Sequence, residues 1–406
     1  MEIQEIPGGV TAPKGFTAAG VHCGIRKNKS KKDLALVFAE KPCDAAAVYT
    51  QNKVKGAPIL VTKRHLADGK ARAIICNSGN ANTCNADGEE KAREMCRLAA
   101  DALHIAPEDV VVASTGVIGQ VLPIEPIRDH VGTLAAHLSV DGADAAEEAI
   151  MTTDTRPKQA VVECKLGGKT CRIGGMAKGS GMIHPNMATM LSFVTTDADI
   201  DAAMLQKALR AAADKSFNMV TVDGDTSTND TLAILASGLA GNARITEEDA
   251  DYLLFEQALE NVLIRLARMV AGDGEGATKL LTCVVEGAAD EHTARVVAKE
   301  VVGSSLVKAA MFGSDANWGR VLCAIGYAPV DVDVKKVDVS FSSVAGKVDV
   351  CRRGAGIDFS EDDASSVLMR NEVVIHIALH MGEATATAWG CDLTYDYVKI
   401  NGDYRT

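Results

Sequence analysis

The stretch KGSGMIHPNMATML occupies residues 178–191, near the middle of a chain of 406 residues. Two glycines stand around Ser180, Pro185 follows, and the stretch then runs into the apolar sequence Met-Ala-Thr-Met-Leu. Glycine permits unusual backbone angles and proline fixes one, whereas an apolar run of this kind is typical of a buried strand. The arrangement gives Thr189 backbone freedom on its upstream side and packing on its downstream side.

Thr189 is therefore a candidate nucleophile that uses its own α-amino group as the base. A hydroxyl needs an adjacent base, and an α-amine with a pKa of roughly 7.7–8 can take a proton near neutral pH. An internal threonine has no such amine until the bond from Ala188 breaks. Attack of the Thr189 hydroxyl on the Ala188 carbonyl would give an ester that water cleaves. A glycine-rich loop before an apolar strand is more often plain structure, so these residues alone leave both interpretations open.

The composition limits the function classes. Apolar residues make up 47% of the chain and charged residues 24%, as in an ordinary globular enzyme. An aromatic content of 4% and a net charge of −12 argue against a nucleic-acid surface. No stretch approaches the roughly 18 apolar residues of a membrane span, and the N-terminus lacks the apolar core of a signal peptide. The eleven cysteines contain no C-x-x-C pair, so we expect a cytoplasmic protein without membrane or nucleic-acid partners.

Short Val- and Ile-rich runs alternate with helical patterns, which predicts an α/β sandwich. We predict buried strands at 33–40, 72–77, 109–115 and 279–288, and helices at 88–105, 201–217 and 246–270. The last helix opens with Thr-Glu-Glu-Asp, a capping-box pattern. In this pattern Thr246 can accept a hydrogen bond from a backbone N–H of the first turn, and Asp249 can accept one from the Thr246 backbone N–H. Residues 372–380 and 383–390 are predicted to pair through a tight turn at Met381–Gly382.

Two small-residue motifs could carry chemistry. STGVIG (114–119) follows a predicted strand, and its backbone N–H groups could stabilise an oxyanion, cradle a phosphate or simply form a loop. AGDGEGATK (271–279) lacks the Walker A spacing and precedes a strand, so we reject a nucleotide phosphate loop. Glu275 lies between two glycines of that motif, where a carboxylate could meet a cationic group or form a solvated turn.

The titratable residues predict no metal site. Asp223, Asp225 and Asp230 could suggest a cation, but their spacing is not that of an EF-hand loop, and side-chain turn chemistry is more common. The nine histidines form no H-E-x-x-H motif. No G-x-S-x-G elbow occurs, which excludes a serine hydrolase of that kind.

Several blocks together resemble the arginine-biosynthetic glutamate N-acetyltransferases, also called ornithine acetyltransferases. The blocks are STGVIG at 114–119, MTTDTRPK at 151–158, KGSGMIHPNMATML at 178–191, DGDTSTNDT at 223–231, GDGEGATK at 272–279, GSDANWGR at 313–320 and the ending YVKINGDYRT. The block around Thr189 and the ending are highly specific, and the resemblance extends along the whole sequence.

The resemblance implies a precursor that cleaves itself at the Ala188–Thr189 bond. The products would be an α fragment, 1–188, which ends at the cleavage site, and a β fragment, 189–406, which begins with the nucleophile and carries the C-terminal tail. The implied fold is a layered α-β-β-α sandwich shared with self-processing aminopeptidases. The implied assembly is a heterotetramer with two copies of each fragment.

The resemblance also implies the reaction and the residues that perform it. Thr189 would carry an acetyl group from N2-acetylornithine to glutamate in a ping-pong reaction without a cofactor. Thr115 and Gly116 fall on the oxyanion-hole positions. The residues at substrate-contact positions are Thr152, Lys178, Thr189, Glu275, Asn401 and Thr406. Acetyl-CoA is expected as a second donor, although the sequence shows neither a P-loop nor a basic cluster to bind it.

Two alternatives remain open at this point. A self-processing aminopeptidase of the same fold would hydrolyse peptide substrates and transfer no acetyl group to glutamate. A binding protein that has lost the chemistry would stay as an uncut chain of 42.6 kDa and bind amino acids without turnover.

Overall fold

The computed structural model describes residues 3–184 and 190–403. The strands are β1 (Gln4–Ile6), β2 (Phe16–Val21), β3 (Leu34–Tyr49), β4 (Lys70–Asn80), β5 (Val110–Val117), β6 (Gln159–Leu166), β7 (Lys169–Lys178), β8 (Leu191–Thr196), β9 (Thr231–Ala236), β10 (Leu280–Ala288), β11 (Asp338–Ser343), β12 (Gly346–Arg352), β13 (Ala355–Gly356), β14 (Glu372–Ala378) and β15 (Ala384–Cys391). The helices are α1 (Ala57–His65), α2 (Gly88–Leu103), α3 (Glu125–Ala136), α4 (Ala143–Ile150), α5 (Ala202–Lys215), α6 (Ala250–Gly272), α7 (Glu291–Gly303), α8 (Ser305–Phe312), α9 (Trp318–Gly326), α10 (Glu361–Leu368) and α11 (Tyr395–Gly402).

The larger sheet folds over on itself at the long strand β3, which belongs to both of its halves. The strand order of that sheet is β1-β6-β7-β8-β9-β3-β4-β5, with β2 also paired to β3. The first half of β3 pairs with β2 and β4, whereas its second half pairs with β9. The register with β4 shifts between Phe38 and Cys43. One continuous sheet thus supplies two facing layers of strands.

The alternation of side chains along β3 shows how the layers pack. Leu34 and Leu36 belong to an apolar cluster with α2 and α3 on one outer face. Ala35 and Val37 point the other way and cluster with Phe193 of β8, between the two layers of strands. Residues of β9 on the opposite outer face, such as Ile234, cluster with α5 and α6. The predicted α-β-β-α sandwich is therefore confirmed.

A second sheet, formed by residues 280–391, adds a module that the sequence did not reveal. Its strand order is β13-β12-β11-β14-β10-β15. The long helix α6 packs against β6 and β7 of the larger sheet and against β10 and β15 of this one. The two sheets consequently share one continuous apolar core around α6.

The remaining predicted elements are mostly confirmed. The predicted strands overlap β3, β4, β5 and β10, three of them beginning one residue early, and the predicted helices correspond to α2, α5 and α6. The predicted capping box at the start of α6 is wrong, because the helix begins at Ala250 with Asp249 as its N-cap. The Asp249 carboxylate accepts a hydrogen bond from Tyr252 N–H at 2.8 Å, and aspartate caps a helix at least as well as threonine.

The predicted hairpin at Met381–Gly382 is also wrong. Strands β14 and β15 do not pair with each other, since β10 lies between them, parallel to β14 and antiparallel to β15. The backbone N–H of Leu379 donates to the carbonyl of Glu286 on β10 at 2.9 Å. The patterns of two strands that are adjacent in the sequence do not show that a third strand, from far upstream in the chain, lies between them in the sheet.

Among the described residues, no helix combines the length and the apolar character needed to cross a membrane.

Candidate active site

A cavity of about 310 Å³ lies where both halves of the larger sheet and the C-terminal helix meet. This volume suits a small metabolite. Six residues that the sequence analysis selected line it: Thr115, Gly116, Thr152, Lys178, Glu275 and Asn401. Met190 and Leu191, which follow Thr189 in the chain, line it as well. Ala188, Thr189 and Thr406 lie outside the described residues.

Thr115 and Gly116 are held by strand pairing rather than by a loop. Strand β5 continues to Val117 and runs parallel to β4, with Gly116 opposite Gly79. Gly116 has a φ of +131°, and a Cβ atom at this position would lie 2.3 Å from the carbonyl carbon of Gly79. Only glycine fits this close approach, so the backbone here is fixed at the cavity wall.

Lys178 ends β7 as a buried cation at the cavity. Its side chain is 8% exposed, and its ammonium group donates no hydrogen bond within residues 3–184 and 190–403. Burial lowers the pKa of Lys178, while the carboxylates of Asp154 and Glu275 oppose that shift. A buried cation without a hydrogen-bonded partner fits the carboxylate of a bound substrate.

Behind Lys178, Asp154 joins the loops that carry two of the predicted contacts. Its carboxylate accepts hydrogen bonds from Thr152 N–H at 2.9 Å and from Gly179 N–H at 2.7 Å. Burial alone would raise the pKa of Asp154, but Lys178 and Lys158 outweigh burial and hold it below the usual range. Asp154 therefore stays ionised and fixes both loops in place.

The charge of Asp154 is balanced by Lys158, which is 1% exposed. The Lys158 ammonium group contacts Asp154 at 2.7 Å and Asp273 at 2.6 Å. Asp273 in turn accepts a hydrogen bond from Thr155 N–H at 3.0 Å. This buried cluster of Asp154, Lys158 and Asp273 supports the cavity wall from behind.

Glu275 supplies a negative charge to the same cavity. Its carboxylate accepts a hydrogen bond from the Asn401 amide at 2.8 Å, and its backbone N–H donates to Ser180 O at 3.0 Å. A Cβ atom on Gly181 would lie 2.3 Å from the Glu275 carboxylate, so the carboxylate packs closely against the backbone of Gly181. Asn401 belongs to α11, where the preceding Thr394 hydroxyl donates to Gly276 O at 2.7 Å. The described part of the C-terminal segment is therefore tied to the cavity.

Asp230 is a cavity residue to which the sequence analysis gave no role in catalysis. It is 2% exposed, and its Oδ2 atom has no hydrogen-bond partner among the described residues. Burial raises the pKa of this carboxyl well above its usual range, and the Ser227 and Thr50 hydroxyls and the Lys178 charge only partly offset the effect.

The sequence analysis also missed the buried cluster behind Lys178. A signal was available, because Asp154 and Lys158 lie in MTTDTRPK and Asp273 lies in GDGEGATK, two of the blocks that carry the resemblance. Asp230 lies in a third block, DGDTSTNDT. Blocks that match a family thus contained the supporting residues as well as the predicted contacts.

The model of the ArgJ family matches residues 17–406 of the chain. The chain belongs to the ArgJ family. Its relative from Symbiobacterium thermophilum, an arginine biosynthesis bifunctional protein ArgJ, is 56% identical over 403 residues, which are 99% of each chain. The predicted enzyme class, a glutamate N-acetyltransferase of arginine biosynthesis, is confirmed by this membership.

Two solved structures match parts of this ArgJ chain. The crystal structure of the arginine biosynthesis bifunctional protein argJ from Bacillus halodurans is 49% identical, with a TM-score of 0.51. It covers 53% of this chain and 100% of its own. An ornithine acetyltransferase from Mycobacterium tuberculosis, in complex with ornithine, is 40% identical, with a TM-score of 0.43. It covers 46% of this chain and 100% of its own.

Proposed function

We propose that this ArgJ protein cleaves itself between Ala188 and Thr189 and then moves acetyl from N2-acetylornithine to glutamate through an acetyl ester on Thr189. The observation that carries the proposal is the cavity, which unites the described residues that the family resemblance assigns to the oxyanion hole and to substrate contact. They come from elements as far apart in the chain as β5 and α11.

A chain neighbour of Thr189 lines this cavity. Met190 lines the cavity and is 4% exposed. Because Thr189 is bonded to Met190, this contact supports a role for Thr189 in the chemistry of the cavity.

The first half-reaction acetylates the enzyme. The Thr189 hydroxyl attacks the acetyl carbonyl of N2-acetylornithine, and the freed α-amine of the same residue takes the hydroxyl proton. The new C–O bond gives a tetrahedral oxyanion. Collapse of this intermediate breaks the amide C–N bond, and the proton passes from the α-ammonium to the departing nitrogen of ornithine. In the second half-reaction the amino group of glutamate attacks the ester carbonyl, and the α-amine of Thr189 takes a proton from that nitrogen. The ester C–O bond then breaks, the proton passes to the Thr189 oxygen, and N-acetylglutamate leaves.

Thr115 and Gly116 fit the role of oxyanion donors, because the β4–β5 pairing fixes their backbone before the charge develops. Lys178 fits a substrate carboxylate, and Glu275 fits a substrate ammonium group. The two charges face one cavity, which matches an amino-acid substrate that carries both groups.

The length of the Bacillus halodurans structure supports the cleavage. Residues 189–406 make up 218 of 406 residues, about 54% of the chain, and the Bacillus halodurans structure covers 53%. Strand β7 precedes the bond and β8 follows it, yet the two strands pair from Ile173–Thr196 to Lys178–Leu191. Strand β3 likewise pairs with β9. We expect the two fragments to stay associated after cleavage, and two copies of each to form the assembly.

The direct test is to trap the acetyl-enzyme. Incubation with N2-acetylornithine and no glutamate should add the mass of one acetyl group to the fragment that begins at Thr189, and added glutamate should remove it. Peptide hydrolysis without acetyl transfer would select the aminopeptidase alternative. A cleaved protein that gains no acetyl group would contradict the proposal.

Acetyl-CoA is proposed as a second acetyl donor, in line with the word bifunctional in the names of the relatives. Incubation of the enzyme with acetyl-CoA and glutamate should give N-acetylglutamate. Product no higher than background would remove this activity while leaving the acetylornithine reaction in place.

Glu275→Gln tests the charge at the substrate end of the cavity. The neutral amide keeps the size of the side chain but loses a charge-assisted hydrogen bond, which contributes about 1.5–3 kcal/mol. We expect the KM for N2-acetylornithine to rise by roughly 10–100-fold. Glu372→Gln is the control, because Glu372 is exposed and pairs with Arg268 at 3.2 Å. Equal kinetics for both variants would remove Glu275 from the substrate site.

Gly116→Ala tests the oxyanion strand. The added methyl group would lie 2.3 Å from the Gly79 carbonyl carbon and displace the backbone of β5. We expect kcat to fall by roughly 100–1,000-fold, as for loss of one oxyanion donor. Gly119→Ala is the control, since Gly119 also has a positive φ, +80°, but nothing lies within 4 Å of its Cβ position. A normal kcat in Gly116→Ala would show that this backbone does not hold the oxyanion.

A further inference from the structure

We propose that Asp230 is a positioning residue for the α-amine of Thr189 in the mature enzyme. Its carboxyl group accepts a hydrogen bond from that amine and faces the ammonium ion formed during acyl transfer. The inference rests on the proposed function, because it requires the amine that cleavage releases.

Strand register places Asp230 beside Met190, the residue bonded to Thr189. Strands β8 and β9 run parallel with Leu191 opposite Thr231, and Thr231 N–H donates to Met190 O at 3.0 Å. Asp230 therefore lies alongside Met190 in this pair of strands. Thr189 is bonded to the Met190 nitrogen, and successive Cα atoms across a trans peptide are about 3.8 Å apart.

The carboxyl group has one oxygen available for this role. The Oδ2 atom is buried and accepts no hydrogen bond within residues 3–184 and 190–403. Buried carboxyl oxygens in native proteins almost always have a donor, and an exception indicates a functional role or an absent partner. Asp230 lines the cavity directly, so a group that forms only after cleavage can reach it.

The charged groups around Asp230 can accommodate one more cation beside Lys178. Lys178 of β7 is the cation that acts on Asp230, while the nearby neutral partners are Thr50 at the end of β3 and Ser227 in the loop before β9. Glu275 lines the cavity and interacts with Lys178. The Asp154 carboxylate already accepts hydrogen bonds from the Lys158 ammonium group and from Gly179 N–H. Asp230 is thus the acidic cavity residue next to position 190.

Burial raises the pKa of Asp230 in the uncut chain, but an ammonium ion at Thr189 opposes that shift, so we expect Asp230 to be ionised in the mature enzyme and to stay ionised during the reaction. The Thr189 hydroxyl proton moves to the α-amine, the C–O bond forms, and the resulting ammonium ion faces the Asp230 carboxylate. The proton then leaves with the nitrogen of ornithine. The carboxylate therefore stabilises the charge-separated intermediate and orients the amine lone pair towards the hydroxyl.

Asp230→Asn tests this role with a side chain of the same shape. We expect the variant to cleave itself and to bind N2-acetylornithine with an unchanged KM, while kcat falls by roughly 10–100-fold. An adjacent carboxylate favours the ammonium form and raises the pKa of an amine. Its removal should therefore move the acid limb of the kcat/KM profile to lower pH, by about one unit or more.

Asp197→Asn is the matched control. Asp197 is 1% exposed, close to the 2% of Asp230, and its carboxylate accepts hydrogen bonds from Arg172 N–H at 2.7 Å and Lys14 N–H at 3.1 Å, away from the cavity. It should leave the pH profile unchanged. Circular dichroism and intact mass would establish that both variants are folded and cleaved.

Four outcomes would separate the possibilities. A folded, cleaved Asp230→Asn protein with the wild-type acid limb would overturn the proposal. A folded but uncut Asp230→Asn chain would also overturn it, because Asp230 would then act in cleavage instead. If wild-type protein itself is uncut, the proposed function fails first, and the result does not depend on Asp230. If Asp230→Asn does not fold, Asp230→Glu, which keeps the charge, must retain the wild-type acid limb, and a shifted limb would contradict the proposal.

Discussion

Thr189→Ala is expected to purify as a single chain of 42.6 kDa with no acetyl transfer above background. Alanine removes the hydroxyl that opens the Ala188–Thr189 bond, so no N-terminal amine forms at residue 189. It also removes the atom that carries the acetyl group. Loss of a nucleophile in comparable acyl-transfer enzymes lowers kcat by roughly 10⁶-fold, and here the base is lost together with the nucleophile.

Thr189→Ser tests whether a hydroxyl group at residue 189 is sufficient for both self-cleavage and acetyl transfer. Serine keeps a hydroxyl group and should retain cleavage and transfer, each at a reduced rate. Denaturing gels and an N-acetylglutamate assay would measure both. An active, cleaved Thr189→Ala protein would contradict the assignment of the nucleophile.

Lys158→Met is expected to have the largest effect on stability of any substitution outside the reacting groups. The ammonium group contacts Asp154 at 2.7 Å and Asp273 at 2.6 Å, and all three side chains are at most 3% exposed. Removal of the cation leaves two buried carboxylates without their shared partner, which costs about 3–5 kcal/mol in free energy of unfolding. The melting temperature of the cleaved protein should fall by roughly 4–6 °C.

Lys207→Met provides the comparison for an exposed ion pair. Lys207 is 50% exposed and its partner Glu248 is 53% exposed. Such pairs contribute about 0–1 kcal/mol, so its melting temperature should stay close to that of wild type. Equal melting temperatures for the two variants would show that the buried cluster does not support the cavity wall.

The sequence predicted the layers of the fold because apolar periodicity reports burial directly. The run 33–40 alternates between two apolar clusters in the structure, with Leu34 and Leu36 on one face and Ala35 and Val37 on the other. The periodicity does not report which strands become neighbours. The pairing of β10 between β14 and β15 depends on packing between residues about 90 to 110 positions apart, and the predicted hairpin failed for that reason.

The site was predictable where a motif carries the chemistry itself. Thr115, Gly116, Lys178 and Glu275 were selected from motifs, and the structure brings them to one cavity. Asp154, Lys158 and Asp230 act through burial and through neighbours supplied by the fold. They lie in blocks that match the family, but a charged residue in a polar loop carries no sequence signal for its burial or for its neighbours. Their roles became visible only when their partners and exposure were known.

The central claim is that Thr189 becomes an N-terminal nucleophile, and the intact mass of freshly purified protein, measured under denaturing conditions with N-terminal sequencing, tests it most directly. We predict two fragments in equal amounts, one of 188 residues and one of 218 residues that begins Thr-Met-Leu-Ser-Phe. The paired strands on both sides of the cleavage site should keep these fragments together until denaturation. A single chain of 42.6 kDa from a folded preparation would contradict the account.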